Sequence, residues 1–178
     1  MLLARYALAI IDSERICARR YIQQLRASIV TPAPGPALVG ERAERLIAFV
    51  ETRQRVRFDN CLLPALRVAA TQGHGGSQAA RAAIDEIEQL AQMGGDMLPG
   101  LRACLRHPEA ASLPASLLAF LLAYCGNVAL RLECEEARLL PLACHLLSAE
   151  AWFHVGAAFL RQDEDAGISN DGISAKVH

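Results

Sequence analysis

Two stretches of this chain carry the same residue types at matching spacing, "RVRFDNCLLPALR" at 55–67 and "RLECEEARLLPLA" at 131–143. In each, an acid stands five places before the proline of a Leu-Leu-Pro triplet, Asp59 in the first and Glu136 in the second. Arg55 and Arg131 precede those prolines by nine and ten places. On a regular helix Asp59 shares a face with Leu62, Leu63 and Leu66, and Glu136 shares one with Leu139, Leu140 and Ala143. The spacing therefore predicts two carboxylates turned toward an apolar interior. A buried carboxylate needs a cation or hydrogen-bond donors, so the chemistry open to the pair is metal ligation or an internal ion pair with arginine.

The remaining reactive residue types form no such pattern. The histidines are His74, His107, His145, His154 and His178, and no two have the i, i+4 spacing of a helical metal clip. Cys17, Cys61, Cys104, Cys125, Cys134 and Cys144 lie far apart with no Cys-x-x-Cys pair, which reads as reduced thiols in a cytoplasm. Cys61 and Cys134 stand close in sequence to Asp59 and Glu136 and are open to two readings, a thiol or zinc site, or compact apolar packing. The stretches "GGDMLPG" and "GHGG" lack the lysine and following helix of a phosphate loop and read as turns. No Ser-His-Asp or Cys-His arrangement is defined by spacing.

Composition bounds the function. A chain of 178 residues with 53% apolar and 21% charged residues reads as one globular domain. A formal charge of -1 gives no electrostatic footprint for nucleic acid or anionic lipid. The uncharged run 110–130 is long enough to cross a bilayer. Its single proline, its serines, glycine and asparagine, and its continuation into a charged stretch, favour a buried helix and no membrane. The opening "MLLARYALAIID" is interrupted by Arg5 and Asp12 and reads as a first helix.

The elements that must position the acids follow from periodicity. Helical spacing predicts segments over 2–29, 41–70, from 77 to a kink or early end at 94–99, and from 114 onward through a bend at Pro141. Residues 31–40, 71–76 and 106–116 read as loops, and Ser148 as the N-cap of a short last helix. The fold class is all-α, an up-down-up-down four-helix bundle with a short C-terminal helix. The domain covers 1–162, and 163–178 reads as a flexible tail.

On these residues the chain resembles the hemerythrin-like, or HHE cation-binding, domains. "CEEARLLPLACHLLSAEAW" is similar to that family's closing signature and "FDNCLLPAL" to its motif on helix two. The resemblance spans most of 1–160, with only these two stretches specific. It implies a bundle that binds two non-haem irons, bridged by oxygen and two carboxylates and completed by five histidines. Asp59 and Glu136 match the bridging positions. Arg55 and Arg131 stand where the family has histidines, Arg15 aligns near a third, and the pair on helix three falls around Ala91 and Gly95.

The expectation is therefore a degenerate member with no di-iron cofactor, in which Arg15, Arg55 and Arg131 hold Asp59 and Glu136 where metal would sit. If a metal binds, Asp59 and Glu136 are its first candidates, with Glu14, Glu135 and Cys134 completing an unusual set. The same arginines and acids also fit surface pairs on exposed helix faces. Three functional classes follow: a non-enzymatic protein binding a small ligand or protein partner, which is favoured, a metal-binding oxygen or iron protein, or an enzyme. The apolar content leaves room for a homodimer.

Overall fold

The computed structural model describes residues 2–31, 35–72, 77–105 and 113–165. Among them there are five helices and no strand. Helix α1, Leu2–Val30, buries Ala7, Ile11, Ala18, Ile22, Leu25 and Ile29 along one stripe. It ends where Ser28 and Thr31 donate their hydroxyls to the carbonyls of Leu25 and Ser28, satisfying acceptors of the last turn.

Helix α2 occupies 36–72 and begins earlier than periodicity predicts, inside the stretch read as a loop. Gly35 is extended and Pro36 takes the first helical position, where a missing N–H costs nothing and a fixed φ suits the turn. Helix α3, Ser77–Leu105, runs straight through the glycines and Pro99 that predicted a kink or early end. Those glycines serve close packing: a Cβ on Gly94 would meet Asn127 Oδ1 at 2.8 Å, and one on Gly100 would meet the Phe120 ring at 2.9 Å. Helix α4, Ala115–Leu146, is long and apolar enough by composition to cross a bilayer; here it packs against α1 and α3. Helix α5, Ala149–Asp165, starts at Ser148, whose Oγ accepts from the Ala151 N–H at 3.1 Å, the N-cap expected from sequence.

Each Leu-Leu-Pro block has the same local structure. The helix widens into a π-turn at Phe58–Leu62 in α2 and at Glu135–Leu139 in α4. The N–H of Leu63 reaches back five residues to the Phe58 carbonyl, and the N–H of Leu140 does the same to Glu135. Pro64 and Pro141 come next. A proline ring crowds the carbonyl four residues back, and a widened turn just before it carries that carbonyl aside. Pairing of the two features at both sites shows one device used twice. A third π-turn, Phe49–Gln54, lies one short helical turn before the first.

Helix α1 packs against α2, α4 and α5, and α3 packs against α2 and α4. Their apolar faces form two separate clusters. One gathers Ile11, Leu62, Leu66, Ile84, Leu139 and Phe159; the other gathers Ile22, Leu46, Ile47, Leu101, Leu121 and Tyr124. On α1 the break between clusters falls at Glu14–Arg15, and on α4 it falls between Leu132 and Cys134, flanked by buried Arg131 and Glu135, so a charged layer marks the boundary. The 163–178 tail needs correction at its start, because helix α5 continues to Asp165; residues 166–178 lie outside the described residues.

Two glycines test the packing. Gly156 lets α5 approach α1, since a Cβ there would lie 2.6 Å from the Leu3 carbonyl oxygen, whereas one on Gly126 meets nothing within 4 Å. Gly156→Ala is expected to destabilise by about 1–3 kcal/mol. Gly126→Ala is expected to stabilise by about 0.4–1 kcal/mol through the unfolded chain. Urea denaturation of both variants reads the contrast, and a neutral Gly156→Ala would contradict this helix crossing.

Candidate charged-layer site

The layer is built from three helices. Glu14 and Arg15 come from α1, Gln54 and Arg57 from α2, and Arg131 and Glu135 from α4, all buried. Helix α3 contributes glycine here: a Cβ on Gly95 would sit 3.3 Å from Arg55 Nη1, so its absence admits the Arg55 side chain.

Two hydrogen-bonded groups make up the interior. In the first, Glu14 Oε1 accepts from Arg53 Nε at 2.9 Å and from Arg57 Nη1. Arg57 Nη2 also donates to Asp163 of α5, and Tyr6 donates its hydroxyl to the other Asp163 oxygen at 3.0 Å. The Arg57 guanidinium lies 5.3 Å from the centre of the Phe159 ring, a cation–π contact that α5 supplies along with the acid. In the second group, Arg131 Nε lies 3.3 Å from Glu135 Oε1. Gln54 bridges them, donating to Glu135 at 3.4 Å and accepting from Arg131 at 3.3 Å.

At the edges the layer reaches solvent. Arg15 Nη2 is 2.8 Å from Glu136, which Arg19 also holds. Arg55 donates to Glu51 at 2.9 Å and to Asp59 at 3.1 Å, and Tyr124 donates to Glu51 at 3.1 Å.

Burial dominates the electrostatics. It pushes the Glu135 carboxyl up to about 7, outweighing the attraction of Arg131 and Arg15. Glu14 is raised for the same reason, against the pull of Arg57 and Arg53. Glu136 is lowered, chiefly by the hydrogen bond from Arg19. Burial also raises the thiols of Cys61, Cys125 and Cys134, so these sulfurs are held as thiols at neutral pH; Cys61 accepts from Gln162 at 3.5 Å and Cys134 donates to Glu86 at 3.6 Å.

The sequence-predicted residues separate on this map. Arg131 is interior, and Arg15 is buried but turns its guanidinium to the rim. Asp59 and Glu136 do not face the core; their side chains are 40% and 46% exposed, while Glu135 is 1% exposed. Arg55 is half-buried and pairs within its own helix. The predicted single cluster of Arg15, Arg55, Asp59, Arg131 and Glu136 is thus two rim pairs plus Arg131, and the interior acids are Glu14 and Glu135.

The cause is the π-turn. It inserts one residue between acid and leucines, so the face continuing from Leu63 is that of Phe58 rather than Asp59, and from Leu140 that of Glu135 rather than Glu136. Arg53, Gln54, Arg57 and Asp163 were not singled out by sequence, although Arg53 and Arg57 have the i, i+4 spacing of one face. Among the described residues, no three His, Cys, Asp or Glu side chains come together as a metal site. His145 and His154 are exposed, and His74, His107 and His178 lie outside the described side chains.

Taken together, fold and site define an all-α protein with an arginine–carboxylate layer through its core. No protein-family model, curated protein or solved structure matches the chain.

Two expectations follow from the layer. The folded Glu135 titrates above its ordinary value of 4.5, so the stability of its neutral form is complete below that pH and is lost as pH rises through about 7. Glu135→Gln should match the native chain near pH 4.5 and exceed it at pH 8, by about 3 kcal/mol at the upper limit. Chemical denaturation across this range reads the difference, and a variant no more stable than the native chain at pH 8 would contradict it. Separately, Arg57→Met leaves Glu14 and Asp163 short of a partner and should cost about 3–5 kcal/mol. Arg19→Met, on the solvent side of Glu136, should leave the unfolding midpoint almost unmoved.

Proposed function

We propose that this chain is a hemerythrin-like, up-down-up-down four-helix bundle of α1 to α4, with α5 as its short fifth helix and without the di-iron cofactor. It works in the cytoplasm as a non-enzymatic protein that binds a small ligand or a protein partner, and neither nucleic acid nor membrane is that partner. The order of helix contacts supports the bundle, since α1 and α3 each lie against both α2 and α4.

One observation carries the loss of iron. The cations inside the layer are the guanidinium groups of Arg57 and Arg131, already bonded to Glu14, Asp163, Gln54 and Glu135. Two bridged irons need several carboxylate and imidazole donors aimed at one point, and always-charged guanidinium groups repel cations there. The residues present do not fit that group. Asp59 and Glu136, the positions matched to the bridging carboxylates, are held at the rim by Arg55, Arg15 and Arg19.

Ligand or partner binding finds support outside the layer. A shallow apolar groove of about 530 Å³ runs between α3 and α4, floored by Ala79, Ala83, Ala137, Pro141 and Leu142, with Arg138 and His145 beside it. Its volume falls within the range of small-molecule sites. Exposed Leu122, Leu130, Phe153 and Leu160 offer apolar surface for a partner or a second copy.

Elemental analysis of protein purified from iron-supplemented cells, with a visible and near-ultraviolet spectrum, tests the reading. Iron well below one atom per chain and no oxo-bridge absorption are expected. Two irons per chain would overturn it and favour the alternative, an oxygen- or iron-handling protein using Glu14, Glu135, Asp59, Glu136 or Cys134.

A further inference from the structure

Helix α4 carries no Asp, Glu, Lys or Arg between Ala115 and Leu130 on any of its sides, yet only 39% of its most apolar window is buried. Its solvent side there is made by Ala115, Ala119, Leu122, Gly126 and Leu130, with Leu122 and Leu130 38% and 47% exposed. The solvent side of a helix is ordinarily polar or charged. The other helices keep to that rule, with Arg20 on α1, Arg67 on α2, Asp96 on α3 and Arg161 on α5 all exposed. Four turns of uncharged surface on α4 therefore ask what covers them.

The register of this side answers. Regular α-helical geometry holds from Ala115 to Cys134, since the π-turn begins only at Glu135. Ala115 and exposed Glu133 are about five turns apart and lie on one line about 27 Å long. That line is self-complementary when a second α4 is laid antiparallel upon it, with the two-fold axis at the level of Tyr124, midway between its ends. Leu122 of one copy then comes over Gly126 of the other, where a Cβ would meet nothing within 4 Å, and a leucine enters the hollow that a glycine leaves. The symmetry makes this contact twice. Glu133 comes over the first turn of the other α4, which begins after Pro114 with no side-chain cap and contains no acid. The free N–H groups and positive dipole end of that turn favour a carboxylate.

We infer that the outward side of α4 is covered by a second copy of this chain, in a two-fold antiparallel α4–α4 pair. A two-fold contact presents one patch to itself. This patch joins a protruding leucine to a hollow, and a carboxylate to a helix N-terminus, at matching distances from one centre. A shallow crossing of about 20° keeps the helices in contact along the line. One helix line is smaller than the standard interface of about 800 Å² per partner, so the pair is a weak, reversible dimer. The inference concerns association alone and does not rest on the fate of iron in the charged layer.

Sedimentation velocity of the full chain, from micromolar to sub-millimolar concentration, tests it. The native chain is expected to pass from monomer to dimer. Leu122→Glu sets two like charges near the axis and should weaken association at least tenfold, and Glu133→Lys should weaken it severalfold. Phe153→Glu, on the exposed side of α5, should leave it unchanged. Gly126→Leu fills the hollow while pointing into open space in a single chain, and should also weaken association at least tenfold. It decides the matter if Leu122→Glu does not fold. A native chain that stays monomeric throughout would overturn the inference, and its flotation with phosphatidylcholine vesicles would assign this side of α4 to a lipid surface instead. A dimer that Phe153→Glu dissolves, or that the Leu122 and Gly126 variants leave intact, would overturn it equally.

Discussion

A guanidinium and a carboxylate set in the middle of a helical core must neutralise each other there, because neither tolerates an apolar surrounding unpaired. Much of this structure answers that requirement. Arg57 is 3% exposed and binds two acids, Glu14 from α1 and Asp163 from α5. Helix α5 therefore cannot stop at its last apolar contact, Phe159; it runs one further turn to bring Asp163 and Tyr6 together over the guanidinium. Arg131 and Glu135 lie within one helix turn, where burial outweighs the guanidinium's pull and favours the neutral carboxyl, and Gln54 bonds to both.

The π-turns decide which residues face this layer. Without the inserted residue, α4 would present Glu136 below Arg131, and α2 would present Asp59 where Phe58 now packs among leucines. Buried Glu135 would be the exposed one. Each turn is followed, one leucine later, by a proline that cannot restore the ordinary bonding, so the offset is built into the covalent chain. That is why the two blocks match in sequence: each fixes the same one-residue shift at the same depth in the fold.

Helix existence and type were legible in the sequence, because apolar spacing extends over many turns and Ser148 carries a genuine cap. Arg131 and Arg15 were reached as interior cations by another route, the resemblance that sets them where a family has histidines, and not by apolar spacing. The interior acids were not, since the 100° arithmetic that places Asp59 and Glu136 inward assumes an unbroken α-helix across the π-turn. Gly94 and Gly100 misled in the opposite way: a glycine that ends a helix and one that admits a neighbouring side chain look alike until the neighbours, Asn127 and Phe120, are known. Asp163 was lost to composition, its acid-rich surroundings reading as a tail although its partners lie far back in the sequence.

A layer of this kind is a poor source of net stability, since apolar residues of equal volume would serve as well or better. Its effect is on alignment. Two apolar clusters alone would tolerate sliding of one helix by a turn, because leucine against leucine differs little from leucine against isoleucine. With the layer between them, moving α2 by one turn separates Arg57 from Glu14 and Asp163 and takes two buried charges, Arg57 and Glu14, from each other. The helices are thus held in a single register by the groups least able to tolerate error. On the reading proposed above, those arginines inherit the positional role of a metal centre without its chemistry. Binding then belongs to the outer faces that this fixed register presents, the α3–α4 groove among them.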